Sequence, residues 1–201
     1  MGGIMQWDPD FFEQHGYCVI DEAIPAEEVA EIRQAISEFM DAEAMKRAGI
    51  GKEGTFELDN AKRGDFIKWI DPENAKNGTK RYLELIESLI QSLNREFFMG
   101  VRDFECHYTQ YPVGTRYMVH SDRHKHGSHR VVSFVFYLNE NWQKSDGGEL
   151  IVYLENGEQM ELLPQAGRLI LFRSELLHEV LVTNRMRQSI TGWMLDEKRL
   201  I

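Results

Sequence analysis

The sequence predicts an α+β protein in which helices cover one face of an all-β core of the sandwich or jelly-roll kind. Two textures carry this reading. Up to about Gly100, apolar residues recur mostly at helical spacing. Beyond it, short β-prone runs follow one another with turn residues between several of them and no helix among them. The 201 residues read as a single domain, with 1–100 as helical support and 101–195 as the β core.

Each element has its own signal. Asp8-Pro9 supplies a cap and a proline at the first helical position, opening a short helix to about Gln14. Tyr17 to Ile20 reads as a short strand. Pro25 starts a long helix with Val29, Ile32, Ile36, Phe39 and Met40 on one face, expected to stop near Gly49. In 49–62, Gly49, Gly51 and Gly54 punctuate a polar stretch, which predicts a loop. Asp65 to Ile70 follows as a strand and Pro72 to Gly78 as a turn. A second long helix, from about Thr79 to Phe98, aligns Tyr82, Ile86, Leu89, Leu93 and Phe97. The strands are then 101–110, 116–120, 130–138, 149–154, 159–163, 167–173, 178–183 and 187–195. Pro112-Val113-Gly114, Asp146-Gly147-Gly148 and Asn156-Gly157 mark turns, the last a hairpin signal.

Composition narrows the function class. Hydrophobic residues make up 42% and charged residues 28%, a globular balance. No apolar run approaches the roughly 18 residues of a membrane span. The start lacks a secretory pattern, and Gln6 stands where a myristoylation site needs Ser or Thr, so a cytoplasmic location is expected. A net charge of −10 argues against a nucleic-acid-coating protein. Cys18 and Cys106 form no CxxC pair and are expected as buried thiols in a reducing compartment.

Three possible metal ligands stand in the β half. His120 and Asp122 are two apart at a strand end, so both can point to one side. His178 opens a distant strand. Two imidazoles and a carboxylate on one face of an octahedron leave positions open, the arrangement suited to iron(II) that must also bind a co-substrate and O₂. A polar strand end is the plainer reading of the H-x-D alone. His124, His126 and His129 are rivals, but their setting among Ser, Gly and charged residues reads as a solvated loop. His15 and His107 have no partner nearby in sequence and read as structural. Arg187, on the strand after His178, offers a guanidinium that can bind a carboxylate with two parallel hydrogen bonds. Arg185, two residues away and potentially on the same face, competes with it.

Tyr111-Pro112, Tyr117, His120-x-Asp122, Tyr137-Leu138-Asn139, Trp142, Gly147-Gly148-Glu149-Leu150, His178-Glu179-Val180, Arg187 and Thr191-x-Trp193 occur in this order. The series resembles the prolyl 4-hydroxylase branch of the 2-oxoglutarate/Fe(II)-dependent dioxygenases. It is most similar to the HIF-type prolyl hydroxylases and the bacterial prolyl hydroxylases acting on elongation factor Tu. The likeness spans roughly Tyr17 to Trp193. Lys62 to Ile70 resembles the strand that follows the substrate-covering loop, so Arg63-Gly64-Asp65 is not read as an adhesion tripeptide.

The resemblance implies a double-stranded β-helix, the cupin-like jelly roll, with N-terminal helices packed on its major sheet and iron at its open end. It implies His120, Asp122 and His178 as ligands. Arg187 would hold the distal carboxylate of 2-oxoglutarate, with the Tyr137 hydroxyl as companion; Arg187 matches the family spacing and Arg185 does not. Tyr111 would reach the co-substrate near the iron. Val135, Leu150, Val180 and Trp193 would wall the pocket, and Thr191 is counted among the co-substrate residues. The cofactor and co-substrates implied are Fe(II), 2-oxoglutarate and O₂, with L-ascorbate (vitamin C) returning stray Fe(III) to Fe(II).

The expected activity is hydroxylation of a prolyl residue in a protein such as elongation factor Tu, with release of succinate and CO₂. No nucleic-acid or membrane partner is expected. A free amino acid or other small molecule is the alternative substrate, and a non-catalytic jelly-roll binding module the distant one. The glycine-rich 49–62 loop favours a peptide, which needs a movable flap more than a small molecule does. The chain stops at Ile201, short of the further C-terminal helix of the animal oxygen sensors. The resemblance therefore implies the chemistry more firmly than an HIF-type substrate.

Overall fold

The computed structural model describes residues 7–49, 62–123 and 128–198. Most of the expected 49–62 loop, along with His124 and His126, lies outside the described residues. The described residues form three α-helices: α1 (Pro9–His15), α2 (Ala26–Asp41) and α3 (Asn77–Phe97). The strands are β1 (Tyr17–Ile20), β2 (Lys46–Arg47), β3 (Phe66–Trp69), β4 (Asp103–Tyr111), β5 (Tyr117–His120), β6 (Arg130–Tyr137), β7 (Leu150–Tyr153), β8 (Gln159–Leu162), β9 (Leu169–Arg173), β10 (His178–Val180) and β11 (Arg187–Leu195).

Helix α1 begins as expected: the Asp8 carboxylate accepts the Phe11 N–H at 3.0 Å, and Pro9 takes the first helical position. Gly16 ends it at φ 76°, a left-handed turn that suits a residue without Cβ. Helix α2 stops at Asp41, well before the expected Gly49. Another helical turn would bring Glu43 onto the apolar stripe after Ile36, Phe39 and Met40. Instead Glu43 turns left-handed at φ 53°, and Lys46 and Arg47 pair with Ile67 and Phe66 as the edge of a sheet.

The strands form two antiparallel sheets. The major sheet has seven strands in the order β1-β9-β6-β11-β4-β3-β2; the minor sheet has four, β5-β10-β7-β8. Alternation sorts the side chains of the major sheet. One face, with Cys106, Tyr108, Val132, Phe134, Phe136, Ile190 and Met194, packs against Ile32 and Ile36 of α2 and Tyr82, Ile86, Leu89 and Leu93 of α3. The Tyr82 and Phe136 rings stack at 4.9 Å. The other face, with Tyr111, Val135, Tyr137, Ile170 and Phe172, meets Leu150, Val152 and Val180 of the minor sheet. This is the jelly roll, with its helices on the major sheet.

The hairpin expected at Asn156-Gly157 joins β7 to β8, with Gly157 at φ 86°. Cys18 and Cys106 are buried and form no disulfide. Among the described residues, no helix is long and apolar enough to cross a membrane.

Candidate active site

The minor sheet brings His120 and His178 together. Strands β5 and β10 run antiparallel with these two residues directly opposite, and their imidazole centroids lie 4.2 Å apart. Asp122, two residues beyond β5, places Oδ1 3.8 Å from His120 Nε2 and Oδ2 3.3 Å from His178 Nε2. One potential ligand atom from each of the three lies within 4.8 Å of the others.

Backbone carbonyls orient both rings. His120 Nδ1 is 2.8 Å from the Met118 carbonyl oxygen, and His178 Nδ1 is 3.0 Å from that of Leu176. A carbonyl only accepts, so each Nδ1 donates, which aims each Nε2 at the Asp122 side. Burial would raise the Asp122 carboxyl, but the adjacent His178 outweighs it and holds the group well below the usual carboxylate range. Burial, reinforced by His178, lowers His120 to about 4. His178 is raised: burial opposes this, and Asp122 overrides it. Two oriented imidazole nitrogens and an anionic carboxylate form a donor set that fits iron(II) with positions left open for other ligands.

A cavity of about 490 Å³ extends from this triad to Arg187. Tyr111, Val135, Leu150, Val180, Thr191 and Trp193, all expected at the pocket, line it together with the triad. Arg187 is 1% exposed, yet no carboxylate among the described residues pairs with it. Its Nε donates to the Gly148 carbonyl at 2.9 Å, and the guanidinium lies 5.1 Å from the Tyr111 ring centroid and 4.9 Å from that of Tyr137. A buried cation without a protein counter-ion suits an anionic ligand, since an uncompensated charge costs several kcal/mol. Tyr137 stands beside the guanidinium rather than on the cavity surface, and its buried hydroxyl has no hydrogen-bond partner among the described residues. Burial raises that phenol, and the nearby Arg187 charge opposes the rise. Arg185 is elsewhere: its exposed guanidinium sits 5.2 Å from the Trp142 ring and 3.4 Å from Asp146.

Several residues of the site escape the sequence reading. Ser133 of β6 donates to Asp122 Oδ2 at 2.7 Å and touches Ser174 Oγ at 2.9 Å. Arg63 pairs with Asp65 through two bonds, of 2.7 and 3.1 Å, and lies 4.7 Å from the Tyr117 ring, which stacks on His120 at 3.6 Å. His107, expected as merely structural, is buried and lines the cavity. Trp69, an exposed aromatic, meets it edge-on at 5.0 Å. The polar residues His107 and Thr109 alternate through a strand otherwise fit for a core, the one sequence signal that could have marked that wall. His129 bonds Asp196 at 3.0 Å and Glu197 at 2.7 Å, away from the triad.

Comparison with known proteins agrees with this geometry. A model of the 2OG-Fe(II) oxygenase superfamily matches residues 106–195, which hold the triad and Arg187. A phytanoyl-CoA dioxygenase model matches residues 12–145. The crystal structure of a Pseudomonas putida prolyl-4-hydroxylase superposes with a TM-score of 0.86 at 37% identity, over 93% of this chain and 96% of that one. The chain belongs to the 2OG-Fe(II) oxygenase superfamily. Within this superfamily it also resembles a Trichoplax adhaerens prolyl hydroxylase solved with a hypoxia inducible factor peptide fragment. That match has a TM-score of 0.85 and 26% identity, over 94% of this chain and 87% of that one. Egl nine homolog 1 of Rattus norvegicus is 28% identical over 91% of this chain and 56% of its own length. The mouse and human counterparts are covered over 47% and 44%, so the chain spans about half the length of these relatives.

Proposed function

We propose that this oxygenase hydroxylates a prolyl residue of a protein substrate at its 4-position, with 2-oxoglutarate and O₂ as co-substrates. The observation that carries the reading is the pairing, in one cavity, of the His120–Asp122–His178 donor set with the buried Arg187, which has no counter-ion among the described residues. The likeness to the Pseudomonas putida enzyme over nearly the whole of both chains supports the prolyl substrate. Elongation factor Tu is the first protein to test, as the motif resemblance implies. A cytoplasmic location and stimulation by ascorbate belong to the same reading.

His120, Asp122 and His178 would hold Fe(II) through two Nε2 atoms and one carboxylate oxygen. When bound, the metal supplies the O₂ chemistry by which 2-oxoglutarate becomes succinate and CO₂, with one oxygen atom going to each of succinate and substrate. Arg187 anchors the far carboxylate of 2-oxoglutarate, and Tyr111 packs beside that guanidinium. Val135, Leu150 and Val180 exclude water from the reacting end. Trp193 and the exposed Trp69 form the wall toward the open side, where a substrate peptide would lie.

The test is mass spectrometry of candidate proteins incubated with enzyme, Fe(II), 2-oxoglutarate and air. One added oxygen on a proline, matched by succinate, is the expected result. Succinate coupled instead to oxidation of a free amino acid would favour the small-molecule reading, and no iron-dependent succinate at all would reject the activity.

A further inference from the structure

His107 of β4 lies directly opposite Thr191 of β11, and both line the cavity. Thr109 follows on the same face of β4. Its hydroxyl donates to Thr191 Oγ1 at 3.4 Å and lies 2.9 Å from His107 Nδ1. A threonine hydroxyl has one proton to give. With that proton directed at Thr191, Thr109 Oγ1 would accept from His107, which requires the imidazole proton on Nδ1. Thr191 Oγ1 then receives one hydrogen bond, and its own proton is left to donate elsewhere. The three side chains form a chain of hydrogen bonds with a single direction, from His107 through Thr109 to Thr191.

The register places the end of this chain beside the metal ligands. Thr191 opposes Val135 of β6, and the next inward residue of β11, Trp193, opposes Ser133, the residue that holds Asp122. Arg187 begins the same strand. Strand rise puts about 13 Å between the Cα atoms of Arg187 and Thr191, and both side chains line the same cavity.

We propose that His107 is a positioning residue for the co-substrate: through Thr109 it fixes the Thr191 hydroxyl as a donor to an oxygen at the metal-proximal end of bound 2-oxoglutarate. This rests on the function proposed above. One further observation supports it. Trp69 and Trp193 meet the imidazole edge-on at 5.0 and 5.5 Å, which holds its ring plane. Burial first, and the Arg63 charge second, press its pKa down to about 4, so near neutral pH the ring is uncharged.

The test is an anaerobic titration of the Fe(II)-loaded protein with 2-oxoglutarate, following the visible absorbance of the metal chelate. Thr191→Val and His107→Leu are each expected to weaken 2-oxoglutarate roughly 5- to 15-fold, the worth of one hydrogen bond. Fe(II) affinity, measured separately, should stay at the wild-type value in both. The double variant should be no weaker than either single one, because the residues act in series. His107→Asn, whose amide nitrogen can stand near Nδ1, should restore most of the affinity. A folded His107→Leu protein with wild-type affinity, additive losses in the double variant, or a His107→Asn protein as weak as His107→Leu would each overturn the proposal. Should His107→Leu fail to fold, Thr109→Val interrupts the same chain at its middle and is read in the same way. A wild-type protein that binds Fe(II) but gives no chelate with 2-oxoglutarate would overturn the proposed function itself. A chelate insensitive to these variants would overturn the positioning role alone.

Discussion

The Ser133 hydroxyl donates to Asp122 Oδ2 across 2.7 Å, tying a central strand of the major sheet to a residue that continues from the edge of the minor sheet. Ser174 braces Ser133 from β9's end at 2.9 Å, and both serines are almost wholly buried. The carboxylate therefore has one oxygen held by the fold, while the other faces His120. Ser133→Ala would leave a buried acceptor without its donor and let the carboxylate rotate. Metal affinity is expected to fall about 10- to 100-fold, the usual effect of removing a partner that orients a ligand. Calorimetry with Fe(II) under anaerobic conditions measures this, and an unchanged affinity would remove Ser133 from the site.

The two arginines of the β11 approach separate by burial. Arg187→Ala should raise the KM for 2-oxoglutarate by roughly 100-fold or more, because it strips a buried anion of its partner. Fe(II) binding should persist, since Arg187 belongs to no part of the donor triad. Arg185→Ala removes an exposed guanidinium's contacts to Trp142, Asp146 and the Asn141 carbonyl, none of which lines the cavity, and should change that KM by less than about twofold. A larger effect at Arg185 would show that the co-substrate does not approach the cavity from the Arg187 end.

These contrasts show where the sequence is legible. Short β-prone runs and the turn residues between several of them located the eight strands after Gly100, because β-branched and aromatic side chains suit a pleated, packed surface. The triad was visible because two of its members are two residues apart, a spacing that strand geometry converts into a shared direction. The Ser133–Ser174 and Thr109–Thr191 contacts were not, since strand register brings together residues 41 and 82 apart along the chain. The end of α2 was misplaced because glycine at position 49 is a conspicuous stop, whereas the actual stop depends on Glu43 being unable to enter the core. Arg63 stood in a recognised segment, but only the folded chain brings its guanidinium over Tyr117 and thence to His120.

Gly148 offers a test of how closely the backbone approaches Arg187. It holds φ at +69°, and a Cβ there would lie 3.1 Å from Arg187 Cδ and 3.1 Å from the Thr183 side chain. Its carbonyl also receives the Arg187 Nε bond. Gly148→Ala should both strain the backbone and displace the guanidinium. The expected result is a destabilisation of about 1–3 kcal/mol, together with a raised KM for 2-oxoglutarate and near-normal Fe(II) affinity. Thermal unfolding and steady-state kinetics measure the two effects. Loss of stability with an unchanged KM would mean that Arg187 tolerates the shift.

The buried His107 should leave its mark on the pH dependence of stability. Its folded-state pKa is about 4, below the ordinary 6.5 of a histidine. Between these values the unfolded chain binds a proton that the native protein does not, so native stability falls as pH drops through that window. His107 alone accounts for a loss of about 3 kcal/mol across the full interval, at roughly 1.4 kcal/mol per pH unit. His120, also lowered to about 4, acts in the same direction in metal-free protein. Urea unfolding of metal-free wild type and His107→Leu at pH 7, 6, 5 and 4 separates the contributions. The variant should lose less stability than wild type from pH 7 to pH 4, retaining a residual slope from His120. Parallel profiles for the two proteins would show that His107 either titrates normally in the fold or takes its proton without cost, and its depressed pKa would have to be abandoned.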